Sequence, residues 1–93
     1  MDVVKTTVDE FTTGSGTADA TPKSIVAPGY ANEAYRGVTV RCNGGSLFVG
    51  PHGFSDASGF PLEAGEELFV AVNSPSKVFV VAPAGATYSY IAI

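Results

Sequence analysis

The segment RGVTVRCNGGSLFVG, residues 36–50, carries the clearest structural signal in the chain. In its first half, polar Thr39 and Arg41 alternate with apolar residues, which is the two-residue period of a half-buried strand. The Asn-Gly pair at 43–44 accepts positive φ angles and is typical of a tight turn between two strands. A second apolar stretch, LFV, follows this turn. The segment therefore predicts a β-hairpin.

Two solidly apolar runs follow, LFVAV at residues 68–72 and VFVVA at residues 78–82. The acidic, turn-rich segment PLEAGEE precedes them, and NSPSK separates them. Neither run alternates, and a strand that is apolar on both faces is normally covered on both faces. In a domain of two layers, the second cover has to come from a loop, from the N-terminal segment or from another chain.

Short β-branched or aromatic segments recur about every ten residues, as in antiparallel sandwiches and barrels. The last of them, YSYIAI, closes the chain, and no segment shows the apolar period of a helix. The sequence therefore predicts an all-β fold: a small antiparallel β-sandwich or jelly-roll-like barrel with an extended N-terminal arm.

The N-terminal third is organised differently from the rest. Residues 3–13 are rich in Val and Thr, which favours a strand, whereas TTGSGTADATP at residues 12–22 is typical of a flexible connection. We therefore divide the chain into an N-terminal arm and linker, residues 1–35, which can contribute a strand, and a β-sandwich domain, residues 36–93. The arm is either held down in an assembly or paired with the domain's own sheet.

Composition narrows the classes of partner. Only 15% of the 93 residues are charged, compared with about 25% in a typical domain, so we expect a partner to cover part of the surface. The net charge is −4 and no basic cluster is present, which argues against nucleic acid as a partner. The sequence shows neither the basic amphipathic helix of a membrane-surface protein nor an apolar run long enough to span a bilayer. It also shows no signal region, so we expect synthesis in a cytoplasm.

The chain offers little material for catalysis. His52 and Cys42 are single, whereas a nucleophilic triad or a zinc site needs several such groups in contact. We expect Cys42 to be a small buried side chain and His52 to be a solvated loop residue. The glutamates of PLEAGEE fit a solvated strand edge better than a calcium site or a glycosidase pair. The prediction is no enzyme, no cofactor and no metal.

Two functional hypotheses stay open, a carbohydrate or host-surface binding module and a small enzyme. Four tyrosines could stack on sugars if they formed an exposed row, which would make a carbohydrate or host-surface binding module; packing is the commoner role of such rings. These are Tyr30, Tyr35, Tyr88 and Tyr90. A small enzyme would require His52, Cys42 and an acid within hydrogen-bond reach.

Residues 36–93 resemble small virion structural proteins of tailed bacteriophages. The resemblance is carried by the order of the segments GVTVRC, SLFVG, GFPLEAGE, LFVAV, SKVFVVA and YSYIAI. It implies a non-enzymatic role in the virion, as a capsid decoration or cement protein or a head or tail accessory subunit. The implied partners are the major capsid protein or another virion protein, together with further copies of the chain in a homo-oligomer.

Within this hypothesis, the arm and the apolar strands make the contacts. An arm can bind by adding a strand to an exposed sheet edge. The residues expected to bind a partner are the apolar and aromatic ones of the N-terminal third: Val3, Val4, Val8, Phe11, Ile25, Val26, Tyr30 and Tyr35.

Overall fold

A computed structural model describes residues 12–26 and 36–93 of the chain. These residues are nearly all β and form an antiparallel sheet that curls into a half-barrel. The part of the chain described contains no α-helix and one 3₁₀ turn, Pro75–Lys77. The predicted all-β fold is confirmed.

Seven strands form the sheet within residues 12–26 and 36–93, and all their pairings are antiparallel. The order across the sheet is β1-β7-β3-β6-β2, and β4 and β5 also pair with β3. The strands are β1 Thr12–Ala18, β2 Lys23–Ser24, β3 Val38–Gly50, β4 Phe60–Glu63, β5 Glu67–Val70, β6 Phe79–Val81 and β7 Ala86–Ala92.

The registers show that the seven strands form four long ribbons. Three of them are interrupted at corresponding positions and so consist of two strands each, β1 with β2, β4 with β5 and β6 with β7. The fourth ribbon is the uninterrupted strand β3. On one side of β3, β5 pairs with residues 38–41 and β4 with residues 46–49. On the other side, β7 pairs with residues 38–45 and β6 with residues 48–50. Outside these, β1 pairs with β7 and β2 with β6. The breaks divide the ribbons into sheet A (β1, β7, the first half of β3, β5) and sheet B (β4, the second half of β3, β6, β2).

Glycines lie along the line where the ribbons bend. Gly45 in β3, Gly65 between β4 and β5, and Gly85 between β6 and β7 have φ angles of 81°, 92° and 87°. This left-handed region is open to glycine without the steric cost that a Cβ imposes. The bend lets sheet B fold over the inner face of sheet A.

The predicted hairpin at residues 36–50 is wrong, because β3 continues through the expected turn as one strand of 13 residues. Its register with β7 shifts between Cys42 and Gly44, so Asn43 is the extra residue of a β-bulge. Asn-Gly marks a change of backbone direction here, as it does in a turn. The direction changes by a bend because both halves of β3 find partners in the long ribbons beside it.

The core fills the inside of the curl. Its fully buried side chains come from both sheets, from Pro75 in the 3₁₀ turn and from Val78 directly after that turn. The largest of them are Leu47, Val38, Val40, Val78 and Val80. Leu68, Val70 and Val72 pack against this cluster and are only half-buried.

The predicted flexible connection at residues 12–22 is wrong over its first part, which is strand β1. Its core-facing glycines leave room for aromatic rings: a Cβ on Gly14 would come within 2.5 Å of the ring of Tyr90, and a Cβ on Gly16 within 2.7 Å of the hydroxyl of Tyr88. The inner face of β1 is thus covered by tyrosine rings from β7 and not by apolar side chains of its own. For this reason the β1 sequence shows no apolar alternation.

The two apolar runs differ in burial. In residues 78–82, Val78, Val80, Val81 and Ala82 are buried, as a strand covered on both faces requires. A loop contributes to the outer cover: a Cβ on Gly50 would lie 2.4 Å from the ring of Phe54. In residues 68–72 the expectation of two-sided cover is wrong, since Phe69 is 51% exposed.

The described part of the first 35 residues is integrated into the sheet. Residues 12–26 contribute β1, β2 and the buried side chains of Ala18, Ile25 and Val26. This matches the alternative in which an N-terminal strand pairs with the domain's own sheet. The division between residues 1–35 and 36–93 stays a prediction, and residues 1–11 and 27–35 lie outside the described residues.

Candidate functional site

The outer face of sheet A is a regular grid of exposed and half-buried side chains. The registers align its residues in two rows across the four strands, because side chains of the same parity share a face. The first row is Thr13, Ile91, Thr39 and Phe69. The second row is Ser15, Ser89, Arg41 and Glu67.

A shallow open groove of about 450 Å³ runs over this grid. Hydroxyl groups of Thr13, Ser15, Thr39 and Ser89 line it, together with the side chains of Arg41 and Glu67. The groove therefore presents many hydrogen-bonding groups and one charge of each sign within a small area.

Arg41 occupies the middle of the grid. It is exposed and lies opposite Glu67 on β5 and opposite Ser89 on β7. The hydroxyl of Ser89 donates to Oδ1 of Asn43 at 3.5 Å, which holds the bulge residue near the same face. Opposite charges on directly paired residues stabilise a sheet modestly. A guanidinium has five N–H donors, which is more than one carboxylate can accept, so donors remain for a ligand.

Phe69 is the apolar element of this face. Its side chain is 51% exposed, and its ring lies against Gly37, where a Cβ would come within 2.4 Å of Cζ. A side chain at position 37 would therefore collide with the ring. Phenylalanine and arginine are both enriched at the centres of protein–protein interfaces.

A second groove, of about 230 Å³, is mainly apolar. It lies between the half-buried residues of β5 and the end of β3. Its lining is Val49, Gly50, Pro51, Leu68, Val70, Val72, Lys77 and Val78.

Two of the partner-binding residues predicted from the sequence fall within the described residues, and neither lies on the grid or in the apolar groove. Ile25 and Val26 are buried in the chain's own core, 5% and 8% exposed. Val3, Val4, Val8, Phe11, Tyr30 and Tyr35 lie outside the described residues.

Cys42 and His52 lie in different environments. Cys42 is buried at the bend, where its thiol donates to the carbonyl oxygens of Gly44 and Gly45 at 3.6 and 3.3 Å. Burial raises the pKa of this thiol, and the carboxylates of Glu63 and Glu66 raise it further. His52 is exposed and meets Phe79 edge-on, with 5.1 Å between ring centroids. Each residue has the environment expected from the sequence, a buried thiol and a loop imidazole.

Two of the four tyrosines considered for sugar stacking are core residues. Tyr88 and Tyr90 are 4% and 9% exposed, so they cannot form part of an exposed row. Tyr30 and Tyr35 lie outside the described residues. No group of three potential metal ligands occurs within residues 12–26 and 36–93.

The grid contains residues that sequence reasoning partly missed. The alternation in residues 36–42 already separates Thr39 and Arg41 from the buried face. Phe69 gave no such signal, because its run is apolar throughout, and Thr13 and Ser15 were hidden in a segment typical of a linker.

Comparison with known proteins adds no relative: no protein-family model, curated protein or solved structure matches the chain. Among the described residues, no helix has the length and apolar character needed to cross a membrane.

Proposed function

We propose that the chain is a non-enzymatic structural protein of a phage virion that decorates or cements the capsid, or serves as a head or tail accessory subunit. The virion role rests on the resemblance of residues 36–93. The observation that supports a docking role is the half-exposed ring of Phe69 in one grid with the exposed Arg41.

This face suits a protein partner for physical reasons. It is a sheet surface, and the Phe69 ring already lies against Gly37, so little side-chain freedom is lost when a partner covers it. Arg41, Glu67 and the hydroxyls around them supply directional contacts, while Phe69 supplies apolar area. The proposed partner is the major capsid protein or another virion protein, in an assembly that also contains further copies of this chain.

The N-terminal arm is the second proposed contact. Residues 1–11 precede β1, and they can be removed without touching a described strand. A deletion of residues 1–21 would remove β1 and the buried Ala18, so it cannot separate partner binding from folding.

Purified virions of the phage that encodes the chain provide the test. Mass spectrometry should find the chain in a fixed ratio to the major capsid protein. Virions prepared without it should bind the added protein in a sedimentation assay. Phe69→Ser should weaken this binding about tenfold or more, since burying an aromatic anchor contributes over 1 kcal/mol.

Phe60→Ser is the matched control, because Phe60 is equally exposed, at 54%, but lies on β4 in sheet B. It should leave binding unchanged. Absence of the chain from virions would overturn the proposed function, and full binding by the Phe69→Ser protein would overturn the proposed docking face.

A carbohydrate or host-surface binding module is the second candidate. The observation that favours it is the groove, where hydroxyls surround Arg41 and Glu67 and an aromatic ring stands at one end of the first row. Sugars bind to such combinations through stacking and charge-assisted hydrogen bonds. A glycan array should show binding that Arg41→Ala abolishes. An array without signal would exclude this candidate.

A further inference from the structure

We propose that the edge of β1 that no described strand covers pairs with the same edge of a second copy, antiparallel and about a two-fold axis at Ser15. This inference rests on the proposed function, because it names the contact between copies within the assembly. It concerns the edge of sheet A, whereas docking on the virion concerns its outer face.

The first argument is that β1 is an edge strand. Within residues 12–26 and 36–93, its paired neighbour is β7, and the other side of β1 is unpaired. Alternate residues of a strand direct their N–H and C=O groups to opposite sides, so about half of those in β1 point away from the sheet. At about 3.4 Å per residue, seven residues give an edge about 24 Å long.

The second argument is the contrast with the opposite edge of the sheet. The β4–β5 edge carries Pro61 and three exposed glutamates, Glu63, Glu66 and Glu67, and is broken between its two strands. Prolines, charges and irregularities are the features that keep an edge from pairing with another chain. In β1, TTGSGTA, no proline or charge is present and the register with β7 is continuous.

The third argument is the symmetry of the β1 sequence. Residues 13–17 read Thr-Gly-Ser-Gly-Thr in both directions. An antiparallel pair centred on Ser15 places Thr13 opposite the second copy's Thr17 and Gly14 opposite its Gly16. A two-fold interface requires such self-complementarity, and Thr–Thr pairs across strands are favourable.

The side chains on both faces of the paired β1 strands would be compatible with this pairing. On the outer face, exposed hydroxyl side chains meet hydroxyl side chains, and no charged residues of β1 oppose each other. On the inner face, the rings of Tyr90 and Tyr88 that lie over Gly14 and Gly16 would continue from one copy to the next. The charged pair Asp19–Lys23, 3.3 Å apart, lies beyond the end of β1.

The consequence for assembly is bivalency. Pairing would join two copies of sheet A into one continuous sheet, with both Phe69 rings on the same outer face. Two linked docking faces bind a lattice more tightly than either face alone, without any new contact to the partner.

Site-directed cross-linking of the full chain tests the register. Ser15→Cys places two thiols at the two-fold axis, so a short bis-maleimide should convert the protein to a covalent dimer. Thr13→Cys alone should not cross-link, because the two thiols would be about 14 Å apart. A mixture of Thr13→Cys and Thr17→Cys proteins should give the mixed dimer. The wild-type chain, with its buried Cys42, is the blank.

Sedimentation equilibrium over a concentration series tests the edge itself. The wild-type chain should be a dimer, and Ser15→Lys should be a monomer, because two lysines would face each other at the axis. Thr87→Lys is the matched control: it is exposed on the same outer face, but one strand inward on β7, and should remain a dimer.

The outcomes separate this inference from the proposed function. A monomeric wild-type chain, an unchanged mass for the Ser15→Lys protein, or equal cross-linking of Thr13→Cys and Ser15→Cys would overturn edge pairing. If the chain were dimeric through Ser15 but absent from virions, edge pairing would stand and the proposed function would fall.

Discussion

The hydroxyl of Tyr88 donates a hydrogen bond to the carbonyl oxygen of Ile25 at 3.3 Å, and it also lies against Gly16. One side chain of β7 thus joins β1 to the segment that follows β2. The contact is buried, and it links residues 63 positions apart in the sequence. It adds a side-chain link to the strand pairings of β1 and β2, which hold residues 12–26 to the rest of the domain although they contain no apolar strand pattern.

Substituting the glycines of β1 should destabilise the fold. Gly16→Ala puts a methyl group within 2.7 Å of the Tyr88 hydroxyl, and Gly14→Ala puts one within 2.5 Å of the Tyr90 ring. We expect each to lower the free energy of unfolding by about 1–3 kcal/mol, as overpacked sites do. Urea denaturation measures this, with the exposed Thr17→Ser on the same strand as control. Wild-type stability of both alanine proteins would contradict the Gly–Tyr packing.

Removing the Tyr88 hydroxyl should cost less than the glycine changes but remain measurable. Tyr88→Phe keeps the ring over β1 and deletes the bond to Ile25, so we expect a loss of about 1 kcal/mol. The urea m value should not change, because the same surface is exposed on unfolding. A Tyr88→Phe protein as stable as wild type would show that this bond contributes nothing net.

The bend should depend on backbone conformation at Gly65 and Gly85. Both have positive φ, and a Cβ on either would meet no atom within 4 Å, so any cost of Gly→Ala is conformational. We expect about 1 kcal/mol at each site by thermal or urea unfolding. Gly→Asn at the same positions should cost less, since asparagine enters this region more readily. Equal effects of Ala and Asn would argue against this explanation.

Stability should fall in alkaline solution. Burial raises the pKa of Cys42 above its ordinary value of 9.0 and that of Tyr88 above 10.0. Both groups are neutral when protonated, so above these values the unfolded chain loses the proton before the folded chain does. The unfolded chain then binds fewer protons, and the free energy of unfolding decreases as pH rises. Below pH 9.0 the contribution of both groups is fully present.

Two variants separate the contributions of Cys42 and Tyr88 to the loss of stability at high pH. Cys42→Ala should flatten the pH dependence of stability from pH 9.0 upward, and Tyr88→Phe should flatten it from pH 10.0 upward. Urea unfolding at a series of pH values measures both slopes. Slopes identical to wild type in both variants would show that neither group titrates differently in the folded chain.

The sequence alone determined the fold class and part of the candidate surface. Alternation in residues 36–42 assigned Thr39 and Arg41 to the face away from the core, because the period of two is a local property of an extended backbone. The burial of Val78, Val80, Val81 and Ala82 also followed from composition, and so did the buried thiol of Cys42.

Only the tertiary structure decided the bulge in β3, the strand at Gly14 and Gly16 and the exposure of Phe69, because these features depend on which strands become neighbours. Asn43 and Gly44 favour a change of direction, but pairing on both sides of β3 made that change a bulge and a bend. Gly14 and Gly16 carry no apolar signal of their own, and they belong to a strand because β7 lays two tyrosine rings across them. Phe69 became an exposed group because β5 is an edge strand, with its outer face uncovered by any described segment. Local sequence fixes backbone preference and side-chain parity, whereas burial is a property of the pairing between distant segments.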